Sequence, residues 1–142
     1  MKFYIATDHA AFRIKDSVID ILEKLGCEVV DLGPDNDDRV DYPDFAHKLC
    51  TKVLEDSGSF GVLICGTGIG MSISANKHKG IRAALCHDGY TAQMAREHND
   101  ANVLCFGERV VGIGVIESIC KNFVNSSFEG GRHENRVKKI EI

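Results

Sequence analysis

The sequence lacks both an excess of positive charge and any long apolar run. Its 142 residues include 17 Lys and Arg against 21 Asp and Glu, which gives a formal net charge of −4. This balance argues against a nucleic-acid-binding protein. A membrane-spanning helix needs about 20 consecutive apolar residues, and no segment approaches that length. We therefore expect neither nucleic acid nor a membrane as a partner.

The sequence also lacks a recognisable leader and closely spaced cysteine pairs. The first residues, MKFYIATDH, enter a strand-like pattern at once, so no signal peptide is expected. None of the six cysteines lies in a Cys-x-x-Cys pair, and most fall within apolar runs. Because a chain of this length can bury enough core to do without disulfides, we expect free thiols, a cytoplasmic location and no metal site.

The residues that are present are typical of one globular domain. Apolar residues make up 44% of the chain and charged residues 27%, which is the composition of a folded protein. No internal repeat, low-complexity stretch or linker divides the sequence. We therefore predict a single domain over residues 1–142.

Short apolar segments alternate with helical patterns along the chain. Hydrophobic periodicity predicts five strands, at Lys2–Thr7, Cys27–Leu32, Val62–Cys65, Ile81–Leu85 and Asn102–Phe106. Helical patterns separate them, and the last long helix follows the fifth strand. This order predicts an α/β fold of three layers, Rossmann-like or flavodoxin-like, with helices on both faces of a parallel sheet. Ligands bind beyond the carboxyl ends of the strands in such folds.

The C-terminal segment Phe128–Ile142 has a different character. It is polar and basic, and it is too short to form a core of its own. It is expected either to fray or to pack on another surface, such as that of a second subunit.

Chemically capable residues follow several predicted elements. They are Asp8 and His9 after the first strand, Cys65 with Gly66–Gly70 after the third, His98–Asp100 after the fourth helix, and Gly107–Arg109 after the fifth strand. Because the carboxyl ends of parallel strands share one edge, we expect all of these residues to converge there.

The glycine loop Gly66–Gly70 leaves several interpretations open. It contains Gly-x-Gly but lacks the third spaced glycine of a dinucleotide fingerprint, and it follows the third strand rather than the first. No Gly-Lys-Ser/Thr closes it, so it is not a Walker loop. The loop is equally consistent with backbone N–H groups that hold an anion and with a tight turn that needs glycine for packing.

Cys65 also has two interpretations. A cysteine in an apolar strand is usually a small core residue. At a strand-to-helix junction, however, neighbouring backbone amides favour the thiolate, which can act as a nucleophile or as a base. A Cys–His nucleophile pair would need an oriented histidine, for which His98 is the candidate.

Other polar residues carry weaker signals. His9 and His98, taken singly, are more often surface residues than catalysts, and Asp8 could merely cap the first helix. Arg132 and Arg136 are four residues apart and would share a face on a helical turn. Because paired guanidinium groups suit a phosphate dianion, they indicate a phosphorylated substrate.

Five segments of the chain carry a family resemblance. They are ATDHAAFRIK, DYPDFA, CGTGIGMSISANKHKGIRAAL, HNDANVLCFGER and GGRHENRV. Together, and in this order, they resemble the type B ribose-5-phosphate isomerase family, which includes galactose-6-phosphate isomerase. The resemblance implies interconversion of ribose 5-phosphate and ribulose 5-phosphate through a cis-enediolate, in the non-oxidative pentose phosphate pathway, without a metal or cofactor. It also implies homodimers or tetramers whose active sites are shared between subunits, with the C-terminal extension packed on the partner.

The resemblance further implies residue roles. One branch of the family uses a cysteine before the glycine loop as the base, and the other uses a glutamate at the position of Met71. This chain, with Cys65 and Met71, resembles the cysteine branch. The remaining implied roles are ring opening by His98, proton movement between O1 and O2 by Asp8, enediolate binding by Gly66, Thr67, Gly68, Ile69 and Gly70, sugar contacts by Tyr42 and Asn99, and phosphate binding by His9, Arg109, Arg132 and Arg136.

Three alternatives remain at the level of sequence. One is an isomerase of a 6-phosphohexose, either allose 6-phosphate or galactose 6-phosphate. The second, which rests only on fold class and the glycine loop, is a nucleotide or flavin binding module. The third is a hydrolase that uses Cys65 and His98 as a nucleophile and its base.

Overall fold

The computed structural model describes residues 1–142. The strands are β1 Lys2–Thr7, β2 Glu28–Asp31, β3 Phe60–Cys65, β4 Ala83–Leu85 and β5 Val103–Gly107. The helices are α1 Lys15–Lys24, α2 Tyr42–Glu55, α3 Ile69–Ala75, α4 Gly89–Asn99, α5 Ile113–Val124 and α6 Arg132–Ile140, with a 3-10 turn at Phe12–Ile14 before α1. Every predicted strand and helix is present, with bounds that differ by a few residues.

All strand pairs of the sheet are parallel, and the strand order is β2-β1-β3-β5-β4. The predicted three-layer parallel fold is therefore confirmed. The order differs from the 2-1-3-4-5 order of flavodoxin, because the last two strands are exchanged. Strand β5 is buried along its whole length, whereas β4 is short, partly exposed and at the sheet edge. The longer apolar strand thus occupies the interior position.

Two apolar cores cover the two faces of the sheet. On one face, α1, α4 and α5 pack against strand residues that include Phe3, Ile5 and Phe106. On the other face, α2 and α3 pack against strand residues that include Tyr4 and Ala6. Neighbouring residues of β1 thus face opposite cores, as the pleat of a strand requires. Because helices cover both faces of the sheet, polar residues that could bind a ligand lie at its edges.

The C-terminal segment neither frays nor stands apart from the rest of the chain. Helix α6 packs beside α4 and buries His133 to 7% exposure. Beyond the helix, the Glu141 carboxylate accepts a hydrogen bond from the Gly80 N–H at 3.2 Å and pairs with Arg82 at 3.3 Å. The segment is therefore anchored to its own chain through both ends of α6.

None of the helices combines the length and the apolar character that crossing a membrane requires. All six cysteines are buried free thiols, as expected from the sequence.

Candidate active site

The sheet has a topological switch point between β1 and β3. From β1 the chain crosses to β2 on one side, whereas the later strands are added on the other side. Ligands of open parallel sheets bind in the crevice outside the carboxyl ends at such a point. Asp8 directly follows β1, and its N–H donates to the Ile64 carbonyl at 3.1 Å, one residue before Cys65. Asp8 and Cys65 therefore lie on neighbouring strands at the mouth of this crevice.

The Cys65 sulfur accepts a hydrogen bond from the loop that follows it. The Gly68 N–H lies 3.1 Å from Sγ, and Cys65 is 5% exposed. Gly68 has φ +78°, and a Cβ there would lie 2.6 Å from the Leu85 side chain and 2.7 Å from the Phe106 backbone. Only glycine fits this position. The loop is thus a tight turn that needs glycine, as one of the two sequence interpretations expected, and it also aims a donor at the sulfur.

The other five thiols are core residues, and burial raises the pKa of each of them. It raises the pKa of Cys50 and of Cys120 to about 12 and that of Cys86 to about 11. Burial also raises the pKa of Cys27, and that of Cys105 well above its usual value. A thiol that stays protonated is neither a base nor a nucleophile at neutral pH.

The two residues after β1 are held by backbone contacts. The Asp8 carboxylate, 7% exposed, accepts the Ala11 N–H at 3.1 Å. The His9 Nδ1 accepts the Val40 N–H at 3.2 Å, which ties His9 to the segment before α2. Because Nδ1 accepts, the neutral His9 ring carries its proton on Nε2, which is left to donate to a ligand.

Tyr42 and Arg109 flank the glycine loop. A Cβ on Gly70 would lie 2.6 Å from the Tyr42 ring, so the ring rests directly on that glycine. The Arg109 N–H donates to the Gly66 carbonyl at 3.0 Å, and its guanidinium lies against the same residue. These residues, together with Asp8, His9, Cys65 and Thr67, form one cluster that we call the Cys65 group.

A contact that the sequence did not predict, between Arg13 and Glu108, ties this cluster together. Arg13, in the 3-10 turn, donates from Nε to the Glu108 carboxylate at 2.8 Å and also forms an ion pair with it. The Glu108 carboxylate side chain is only 8% exposed. The pair joins the segment after Asp8 to the segment that carries Arg109. Both residues lie within segments quoted for the family resemblance, which was the available signal.

His98, Asn99 and Asp100 lie at the opposite edge of the sheet, so the predicted convergence of all candidates on one edge is wrong for these three residues. A crossover helix runs back from the carboxyl edge to the amino edge, and His98 and Asn99 end α4, shortly before β5 begins. Neighbouring Asp100 pairs with Arg82, just ahead of β4, at 3.2 Å. Four residue steps along β5 separate the two edges by roughly 13 Å.

Arg132 and Arg136 belong with His98 rather than with Cys65. The Glu129 N–H donates to the Glu97 carbonyl at 3.0 Å, which fixes the start of the C-terminal segment beside the end of α4. The His98 and His133 rings stack with centroids 4.2 Å apart and an interplanar angle of 13°. Arg132 and Arg136, both exposed, lie on the same helix as His133. We call His98, Asn99, Arg132 and Arg136 the His98 group.

A sizeable cavity lies away from Cys65. It has a volume of about 670 Å³ and lies at the amino edge, bordered by Arg82, Asn99 and the C-terminal residues Ile140–Ile142. The Cys65 group instead faces an open surface that includes exposed Tyr42, Ile69 and Ile73. The Cys65 group and the His98 group therefore lie at opposite edges of the sheet within one chain.

The fold and the arrangement at the switch point define a small-ligand enzyme of the Rossmann-like class. A model of the family described as Ribose/Galactose Isomerase matches residues 3–140. The chain belongs to this family, and it is a sugar-phosphate isomerase.

Several relatives match over nearly their whole length. The chain is 43% identical over 139 residues to ribose-5-phosphate isomerase B of Escherichia coli, covering 98% of this chain and 93% of that protein. It is 48% identical to a Bacillus subtilis protein named as a putative sugar phosphate isomerase, YwlF, covering 99% and 95%. The solved structure of Clostridium thermocellum ribose-5-phosphate isomerase B superposes with a TM-score of 0.95 at 48% identity, covering 99% and 95%.

Proposed function

We propose that the chain interconverts ribose 5-phosphate and ribulose 5-phosphate, with Cys65 as the base. The observation that carries the proposal is that Cys65, whose sulfur accepts a hydrogen bond, and Asp8 follow one another across neighbouring strands at the switch point. An aldose–ketose isomerase needs one group that moves a proton between carbons and one that moves a proton between oxygens. A relative that is 43% identical bears the name ribose-5-phosphate isomerase B, and one that is 48% identical is named as a probable ribose-5-phosphate isomerase B.

The carbon-bound proton would travel through the sulfur. The Cys65 thiolate removes the C2 proton of the open-chain aldose, and the electron pair of that bond forms the C1–C2 double bond of an enediolate. The thiol then returns the proton to C1, which completes the ketose. Asp8 moves the other proton from the O2 side to O1. The sulfur is well placed to accept charge transiently because Gly68 donates to it, and such charge-assisted hydrogen bonds are stronger than neutral ones.

The glycine loop would hold the negative charge of the enediolate. The N–H groups of Gly68 and Ile69 already donate within the loop, which leaves those of Gly66, Thr67 and Gly70 for the substrate. They lie in a turn whose backbone is fixed by tight packing at Gly68 and Gly70. The Thr67 Oγ1 accepts the Ile69 N–H at 3.2 Å, which leaves its hydroxyl proton free to be donated to a substrate oxygen. Losing one preorganised donor of this kind typically costs roughly 3 kcal/mol of transition-state stabilisation.

We also propose that a second copy of the chain completes each site. Within one chain the His98 group is at the wrong edge to open a sugar ring beside Cys65. Two copies related by a two-fold axis would bring the His98 group of each to the Cys65 group of the other, as an isologous interface allows. The exposed apolar side chains of Tyr42, Ile69 and Ile73, between 40% and 58% exposed, suit burial beneath a partner.

In that arrangement the phosphate would be bound from both subunits. His9 and Arg109 would contribute from the chain that carries the base, and Arg132 and Arg136 from the other. Asn99 of the second copy and Tyr42 of the first would contact sugar hydroxyls. This division gives α6 and its cations a role in the site of the partner.

Two measurements test the proposal. Rates are compared for ribose 5-phosphate, allose 6-phosphate and galactose 6-phosphate, and the pentose is expected to give the highest kcat/KM. A higher value for either hexose phosphate would contradict the substrate assignment.

The second measurement mixes two inactive variants, Cys65→Ala and His98→Asn. In a shared-site dimer, heterodimers contain one intact site, so equal mixing followed by subunit exchange restores about a quarter of the wild-type activity. Size-exclusion chromatography with light scattering confirms that the subunits have assembled. No recovery in exchanged dimers would show that Cys65 and His98 act in the same chain or not at all.

A further inference from the structure

His133 is a buried histidine to which the proposed reaction gives no role. Its side chain is 7% exposed although it lies on an otherwise polar helix. A histidine on an exposed, basic helix gains little from burial unless it contacts something specific. Its ring stacks on that of His98, with centroids 4.2 Å apart and planes within 13° of parallel.

The Glu129 carboxylate lies at the edges of the His98 and His133 rings. Its Oε2 lies 3.5 Å from the His133 Nε2 and 4.0 Å from the His98 Nε2. The Glu129 backbone is itself tied to α4, because its N–H donates to the Glu97 carbonyl. One carboxylate oxygen thus faces both imidazole rings from a fixed backbone position.

These contacts favour one orientation of the His98 ring. The stack limits rotation of the ring, and the Glu129 carboxylate lies 4.0 Å from Nε2, an ion-pair distance rather than a hydrogen bond. The orientation and tautomer of a histidine are set by the partner of its ring nitrogens. We propose that His133 and Glu129 are positioning residues that hold the His98 ring in one orientation for ring opening, an inference that rests on the function proposed above.

The same three residues could be considered as a metal site, since their ligand atoms all lie within 4.8 Å of one another. The ring geometry favours positioning instead. Histidine binds metals in the plane of the ring, and two nearly parallel stacked rings direct their in-plane lone pairs side by side rather than toward one ion. Arg132 and Arg136 add positive charge beside His133, which disfavours a cation.

The kinetic test distinguishes a loss of ring stacking from a general loss of folding. His133→Ala removes the stack, His133→Phe retains an aromatic ring of similar size, and Glu134→Gln, on the exposed side of α6, is the matched control. For His133→Ala we expect kcat with ribose 5-phosphate to fall about tenfold with KM changed less than about twofold. His133→Phe should recover most of the loss, and the control should match the wild type. Equal losses in both His133 variants, or a KM change as large as that in kcat, would overturn the assignment.

An NMR test is independent of activity. The His98 ring protons should show an upfield ring-current shift that His133→Ala abolishes and His133→Phe preserves. If the wild type fails to convert ribose 5-phosphate, the proposed function fails, while this shift still reports whether His133 holds the ring. Unchanged His98 resonances in His133→Ala, or tight zinc binding by the wild type that His133→Phe removes, would overturn the positioning role.

Discussion

The Gly68 backbone N–H donates a hydrogen bond to the Cys65 sulfur at 3.1 Å, across a loop that only glycine can form. The contact makes the donor to the sulfur depend on the tight packing of Gly68. The left-handed backbone at Gly68 lets the chain turn tightly enough to point its amide back at the last residue of β3. A substitution that relaxes the turn therefore withdraws the donor from the sulfur.

Gly68→Ala should lower both stability and turnover. The added Cβ meets the Leu85 side chain and the Phe106 backbone at less than 3 Å, and φ +78° is strained for alanine. We expect a loss of about 1–3 kcal/mol in the free energy of unfolding, measured by urea denaturation, and a fall in kcat at temperatures where the variant is folded. Gly112→Ala is the control, because its φ is −79° and a Cβ there meets nothing within 4 Å. Wild-type kcat in folded Gly68→Ala would contradict a catalytic role for this donor.

Arg13→Ala should loosen the Cys65 group more than it destabilises the fold. Arg13 is largely exposed, so its ion pair with Glu108 is worth about 1 kcal/mol or less. Because the pair joins the segment of Asp8 and His9 to that of Arg109, we expect KM for the sugar phosphate to rise more than stability falls. Steady-state kinetics and urea denaturation measure the two effects.

Lys24→Ala provides the comparison for that prediction. It removes another exposed ion pair, with Asp20 at 2.8 Å, far from the switch point. Its KM should equal that of the wild type. An identical KM in Arg13→Ala and Lys24→Ala would show that the Arg13–Glu108 pair does not organise the site.

Stability should decrease as the solution is acidified below neutral pH. Desolvation, followed by the neighbouring His98 and Arg132, lowers the pKa of His133 below its ordinary 6.5. The unfolded chain therefore takes up a proton at this residue at a higher pH than the folded chain does. The contribution of neutral His133 is fully present above about pH 6.5 and is lost as the pH falls toward the folded pKa.

Urea denaturation at pH 7.5 and pH 5.5 measures this dependence. Desolvation and His47 lower the pKa of His78 as well, so the wild-type slope has at least two sources. His133→Phe, which cannot titrate, should retain the part due to His78 and show a smaller difference between the two pH values. An equal difference in wild type and variant would contradict the assignment to His133.

The sequence predicted the layers of the fold but not its lateral order. Periodicity identifies β4 and β5 as strands, yet it does not state that β5 inserts beside β3 and leaves β4 at the edge. The convergence of Asp8, Cys65 and Arg109 followed directly from parallel pairing. The same rule failed for His98, because a residue at the end of a crossover helix lies at the amino edge.

Sequence patterns did not predict contacts between residues that lie far apart in the chain. The stack of His98 on His133 joins residues 35 positions apart through the fold of the C-terminal segment. The partly buried Glu108 carboxylate likewise has its partner in Arg13, 95 positions earlier. The implied roles of individual site residues remain predictions that mutagenesis must decide.

The central claim is that Cys65 is the base of the isomerase, and one measurement tests it most directly. Cys65→Ala is assayed for conversion of ribose 5-phosphate beside Cys27→Ala, which removes another buried thiol that lies away from the switch point. We predict that folded Cys65→Ala, verified by circular dichroism, loses at least about a hundredfold in kcat, whereas folded Cys27→Ala retains wild-type turnover. Near-normal turnover in folded Cys65→Ala would contradict the account.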